Sequence, residues 1–265
     1  MPLSVKSGYS ATSSAYTPGC TPKPKDALIK VWKFCRRLLY VRQMDFQYAL
    51  WQVHKLLTAP QKLYVDFQYR KTTKGQFARD DPAFLVMLAI TFVILTLSFG
   101  ILTSLPVKDM LFVMFWLVGI DCIGCGMLVA TFFWFIGNKF LLSHPRSRGN
   151  DLEWGFCFDV HLNSFYPFLI ILHGAQLPFL WLINGSQNFL PIILGNSFWM
   201  VSLTYYWYIT FLGYNIQPNL QKSTVYLLPL VPIALSFVLS CIFQLNWTSG
   251  MVSFYQHRIG QTPSN

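Results

Sequence analysis

The stretch PAFLVMLAITFVILTLSFGILTSL, residues 82–105, carries no charged side chain. A helix rises about 1.5 Å per residue, and about 20 apolar residues cross the ~30 Å hydrocarbon core of a bilayer. This stretch is therefore read as a transmembrane helix. Four more runs meet the same test: 110–136, with Asp121 as its one charge, then 162–183, 189–212 and 225–245, with none. The runs are continuous, whereas barrel strands alternate over about 10 residues. Pro229 and Pro232 fall in the last run, where a kink is expected rather than a break.

Composition agrees with this reading. Of 265 residues, 54% are hydrophobic and 11% charged, against about 25% charged in a soluble domain. That hydrophobicity argues against a disordered chain, and six cysteines are too sparse for a disulfide scaffold. Residues 1–26 lack an apolar core for a cleavable signal peptide and read as a disordered tail rich in Ser, Thr, Pro and Lys. The run at 82–105 is thus expected to act as its own insertion signal.

The charges orient the chain. Residues 1–81 hold 14 of the 20 Lys and Arg. With five crossings, 18 of the 20 fall on the side of the N-terminus, leaving Lys108 and Arg258 on the other. Basic segments stay in the cytosol. The expected fold is an all-α integral membrane protein with five transmembrane helices, a cytosolic N-terminus and a lumenal C-terminus. The expected parts are a tail (1–26), a basic cytosolic segment of amphipathic helices (27–81), the bundle (82–245) and a short lumenal tail (246–265). Sequons at Asn184 and Asn246 fall on the lumenal side at span ends, and neither is expected to be used.

In the segment before the first span, Leu28, Val31, Trp32, Cys35, Leu38 and Leu39 follow helical spacing, as suits a helix at the membrane surface. A second helix fits 45–57, with Asp45 as N-cap and Phe46, Ala49, Leu50, Val53, Leu56 and Leu57 as its apolar stripe. Pro60 opens a third, through about Tyr69. Lys30, Lys33, Arg36, Arg37, Arg70, Lys71, Lys74 and Arg79 are the candidates for contact with anionic lipid or a partner.

Polar groups inside the runs are the candidate site. Asp121 and His173 each lie 11 residues into adjacent antiparallel runs, and so at similar depth. A hydrogen-bonded Asp121–His173 pair is the expectation, and a charged group at mid-membrane needs such a partner or water. Cys122 and Cys125 form a CxxC, but Cys122, Gly126 and Ala130 recur every four residues, the small-xxx-small pattern of close helix packing. Packing is the expected role, and the remaining cysteines show no pairing pattern. His144, Asp151, Glu153, Asp159, His161 and Asn163 form a polar cluster before the third run. Such residues can bind metal or transfer protons, yet the spacing matches no established pattern. Capping and interfacial hydrogen bonds are expected of them, with no metal, cofactor or catalytic residue.

Five stretches carry a resemblance: DFQYALWQ (45–52), RDDPAFL (79–85), FDVHLNSFYP (158–167), TFLGY (210–214) and SFYQHR (253–258). They resemble the uncoordinated-fifty (Unc-fifty) family of Golgi membrane proteins, over 45–259 and in the same order. Asp80, Asp81, Pro82, Asp159, His161 and Asn163 are the motif residues singled out, and Cys125 stands where a small aliphatic residue is expected. The resemblance implies a multi-pass Golgi protein, also placed at the inner nuclear membrane. It implies support for cell-surface delivery of nicotinic acetylcholine receptors, a link to guanine-nucleotide exchange factors for Arf GTPases, and RNA binding. The expected partners are thus membrane lipids, an Arf exchange factor, receptor cargo and RNA, with no catalytic residues to carry over. Two other classes compete: a small transporter or lipid-handling protein using Asp121, His173, Asn196 and Tyr205, and an intramembrane enzyme using the polar cluster of 151–163.

Overall fold

The computed structural model describes residues 44–74, 82–142, 151–186 and 188–258. These residues are almost entirely helical, and Leu142 and Leu220 form an isolated antiparallel bridge. The helices are α1 (Phe46–Thr58), α2 (Pro60–Lys74), α3 (Ala83–Leu102), α4 (Val107–Leu141), α5 (Trp154–Ile183), α6 (Phe189–Asn215), α7 (Ser223–Ile242) and α8 (Trp247–Arg258).

α3, α4, α5 and α7 are long and apolar enough to cross a bilayer. Of the most apolar window of α7, 11% is buried in the protein, so most of its residues keep apolar surface exposed, as suits contact with lipid. α6 is different. Its 27 residues extend about 40 Å without a charge, but Asn196, Ser202, Tyr205, Tyr206, Tyr208 and Thr210 make it less apolar than the other four. The reason lies in its position. α5, α7, α8 and α2 all pack on it, and its exposed positions are Phe189, Leu190, Val201, Thr204 and Asn215. A helix enclosed by protein can be polar where its neighbours supply hydrogen bonds.

α4 and α5 are much longer than the sequence indicates. α5 begins at Trp154, eight residues before the expected start at 162. Asp159 and His161 made its first two turns look like a loop. In fact His161 and Asn163 face the bundle, 3% and 4% exposed, where protein groups satisfy them. α4 runs 35 residues and is not a uniform α-helix, since Leu117–Gly124 and Gly137–Leu141 form wide π-type turns. α5 likewise widens at Ile171–Ala175. Such bulges shift helix register and recur where a helix serves a function beyond packing.

The N-terminal hairpin α1–α2 belongs to the core. Asp45 caps α1 by accepting from the Tyr48 amide at 2.9 Å, and Pro60 opens α2. Leu56, Leu63 and Tyr64 are buried with Phe84, Leu88, Tyr166 and Ile209. The buried face of α1 is Ala49, Gln52 and Leu56, while Leu50 and Leu57, assigned to its stripe, are exposed. α2 continues to Lys74, past the expected end at Tyr69. The segment after 245 is not a simple tail, because α8 folds back and buries Thr248, Val252 and Tyr255.

Residues 1–43 lie outside the described residues, and with them Lys30, Lys33, Arg36, Arg37 and the helix expected there. So do Arg79, Asp80, Asp81 and His144. Arg70, Lys71 and Lys74 fall within α2.

Close approach of α4 and α5 depends on Gly126. A Cβ at Gly126 would stand 2.5 Å from Cδ2 and 2.6 Å from Nε2 of His161. Gly126→Leu is therefore expected to destabilise the bundle by roughly 1–3 kcal/mol as overpacking. Gly155→Ala, with nothing within 4 Å of the new methyl, should be neutral or stabilising by up to about 1 kcal/mol. SDS-induced unfolding of the purified protein measures both.

Candidate functional site

His161 joins three helices. Its Nε2 lies 3.0 Å from the carbonyl oxygen of Cys122 on α4, and its Nδ1 lies 2.8 Å from the hydroxyl of Tyr206 on α6. A carbonyl only accepts, so Nε2 carries the proton, and in the neutral ring Nδ1 accepts from Tyr206. Phe158, Phe165 and Tyr206 pack their rings around the imidazole. The Cys122 carbonyl lies in the wide turn of α4. Cys122, Gly126 and Ala130 lie buried along the same helix, with Gly126 directly under the His161 ring.

Further polar pairs lock the bundle at both ends. The Gln52 amide donates to Asn163 Oδ1 at 3.0 Å, tying α1 to α5. The Tyr205 hydroxyl donates to the carbonyl of Leu56 at 2.8 Å, and Gln61 donates to the Tyr208 hydroxyl at 2.8 Å. Ser164 and Thr210 share a bond at 3.0 Å between α5 and α6. At the opposite end, fully buried Asn196 donates to Ser240 Oγ at 2.9 Å and to the Leu245 carbonyl at 2.8 Å, and accepts from the Trp247 amide at 3.2 Å. Gln176 on α5 donates to the Thr248 hydroxyl on α8. Asn246 donates to the Ile183 carbonyl at 2.8 Å and caps α8 through the Ser249 amide at 3.0 Å. Its amide nitrogen, the atom a glycan would take, is thus engaged.

Asp121 and His173 line one cavity of ≈ 330 Å³. Both lie in wide turns, Asp121 in that of α4 and His173 in that of α5. No hydrogen bond joins them. Asp121 instead accepts a long bond, 3.4 Å, from the Tyr255 hydroxyl on α8. The physical reason is α8, which inserts Tyr255 beside Asp121 and takes the role expected of His173. Its position could not be anticipated from a segment read as a tail. His161, Tyr206, Tyr255, Trp199, Phe165 and Phe168 also line the cavity.

The polar cluster before the third run is dispersed. His161 faces Cys122 and Tyr206, Asn163 faces Gln52, and Asp151 and Glu153 are exposed. Among the described residues no three His, Cys, Asp or Glu side chains stand close enough to hold a metal ion. Cys122, Cys125, Cys157 and Cys241 are free thiols. Sequence reading missed the joint role of His161 and Tyr206. Tyr206 already lay in the run 189–212, and the apolar residues at helical spacing around His161 are the signal that would have placed it inside a span too.

An all-helical membrane protein with a buried polar network and a mid-bundle cavity is the class this geometry defines. The UNC-50 family model matches residues 34–256, and the chain belongs to that family. The match starts earlier than the quoted motifs do. Protein unc-50 homologs are similar over most of their length. That of Danio rerio is 48% identical, covering 87% of this chain and 89% of its own, and that of Homo sapiens is 45% identical over 87% and 88%. That of Drosophila melanogaster is 44% identical over 97% and 94%. No solved structure matches.

His161→Phe keeps the ring and loses both hydrogen bonds. It is expected to lower stability by roughly 1–3 kcal/mol, the cost of leaving buried partners unsatisfied. In the Tyr206→Phe background, where one partner is already gone, the further loss should be smaller. A double-mutant cycle by SDS titration checks this, and strictly additive losses would count against the clamp.

Proposed function

We propose that this chain is a non-enzymatic trafficking factor of the Golgi membrane. In this reading it crosses the bilayer five times, with α6 as the enclosed fourth pass. The N-terminus is cytosolic, which places 18 of the 20 basic residues on that side. The Golgi location, the nicotinic acetylcholine receptor as cargo type and the Arf exchange factor as partner rest on the family resemblance. RNA binding and a share of the protein at the inner nuclear membrane rest on it too, and are subsidiary.

The observation that carries the reading is the docked hairpin. Gln52, Leu56 and Gln61 fix α1 and α2 to the α5 and α6 ends. The outer side of the hairpin presents Leu50, Val65 and Tyr69, which are 52%, 63% and 71% exposed, beside exposed Lys62 and Asp66. A rigid face mixing apolar anchors with charge suits recruitment of a cytosolic protein. Its buried side holds the core, so its outer side can be changed without unfolding the bundle.

Val65→Ser with Tyr69→Ser is expected to leave insertion and Golgi residence intact. It should reduce co-purification of the Arf exchange factor by roughly fivefold or more, the loss of about 1 kcal/mol at an interface anchor. Surface delivery of a nicotinic acetylcholine receptor should fall with it. Unchanged co-purification, with the protein properly inserted, would remove the hairpin from the mechanism.

A further inference from the structure

The cavity shared by Asp121 and His173 holds polar groups whose hydrogen bonding the protein leaves incomplete. Among the described residues Asp121 has only the 3.4 Å bond from Tyr255. His173 makes no hydrogen bond with the described residues. Trp199 also lines the cavity, and its indole N–H is buried with no hydrogen-bond partner among the described residues. At membrane depth an unsatisfied polar group is costly, since lipid tails offer no replacement. The remaining lining is apolar and aromatic, including Leu117, Phe165, Phe168 and Leu172.

The chamber does not end there. A second hollow of ≈ 760 Å³ shares Asp121, Trp199, Leu203, Met251 and Tyr255 with it. That hollow runs between α4, α6 and α8 to Trp116, Leu245, Trp247 and Phe254. Leu245 and Phe254 are exposed, so the groove reaches the outer face of the bundle. A small, mostly apolar chamber holding a few polar groups thus leads by an apolar groove to the surface where lipid lies. At these sizes the pair falls within the range of small-molecule sites.

The donor and acceptor pattern selects the ligand. Asp121 accepts and the Trp199 N–H donates. A hydroxyl does both at once, donating to the carboxylate and accepting from the indole, with His173 able to act in either sense. An anionic head would meet Asp121. A cationic head would leave the Trp199 donor unsatisfied, since two donors cannot pair.

We propose that the chamber and its groove bind an uncharged, hydroxyl-bearing membrane lipid, the class of sterols, diacylglycerols and ceramides. Its hydroxyl sits among Asp121, Trp199 and His173, and its hydrocarbon lies along the groove past Met251 toward Leu245 and Phe254. This site is independent of the hairpin and of any trafficking partner.

The test uses the purified full chain in nanodiscs with photoreactive, alkyne-tagged probes. Three carry a free hydroxyl: a sterol, a diacylglycerol and a ceramide. Phosphatidylcholine, a fatty acid and a long-chain amine serve as comparisons. One or more hydroxyl lipids should label peptides containing Trp199 or Met251, and the unlabelled lipid should compete. Leu203→Trp, which fills the chamber, should cut that labelling roughly tenfold, while exposed Leu182→Trp should not. Three results overturn the proposal: hydroxyl lipids labelling no better than phosphatidylcholine, as for a water-filled chamber; the fatty acid or amine labelling best; or adducts mapping away from α6 and α8. The wild-type arms decide this even where Leu203→Trp fails to fold. No partner is present, so a negative result leaves the trafficking reading untouched.

Discussion

The imidazole of His161, held between the Cys122 carbonyl and the Tyr206 hydroxyl, is the contact on which the rest of the bundle depends. Between membrane helices the hydrophobic effect supplies little driving force, because lipid is as apolar as leucine. Association then relies on close packing and on hydrogen bonds that lipid cannot replace. One ring provides both. It fills the space left by the missing side chain of Gly126 and bonds to two helices other than its own. The wide turn of α4 belongs to the same arrangement, since it includes the carbonyl that the ring meets and also carries Asp121 into the cavity.

Around that centre the polar residues fall into two belts. The hairpin end is fixed by Gln52–Asn163, Tyr205–Leu56 and Ser164–Thr210, and the opposite end by Asn196, Gln176 and Asn246. Both belts involve α6, which explains why the least apolar of the long helices lies innermost. At one end the hairpin α1–α2 docks on α5 and α6, and at the other α8 lines the cavity, with its Arg258 stacked on Trp116 at 4.9 Å. Four of the stretches that carry the family resemblance contribute to these contacts: Gln52, His161 with Asn163, Thr210 and Tyr255.

Much of the fold was legible in the sequence. Long continuous apolar runs favour helices over alternating barrel strands in a bilayer, so the four long apolar helices α3, α4, α5 and α7 were readable from the sequence. So were the start of α1 at its Asp45 cap and that of α2 at Pro60. The start of α5 was not. A polar residue is expected outside the membrane unless a neighbour satisfies it, and the neighbours of His161 and Asn163 are 39 and 111 residues away in the chain. The same limit misplaced the partner of Asp121. Depth along two helices is arithmetic in residue number, whereas direction around each helix is set by bulges and by whatever packs alongside.

Sequence by itself determined that this is a helical membrane protein of the UNC-50 family with its basic residues concentrated before the first span, because hydropathy, charge and motif are local properties. Only the tertiary structure decided that α6 is central, that the tail after 245 is a structural helix, and that Asp121 turns to Tyr255 within a chamber it shares with His173. Those outcomes rest on hydrogen bonds between residues distant in the chain, and such bonds form only once the helices are packed.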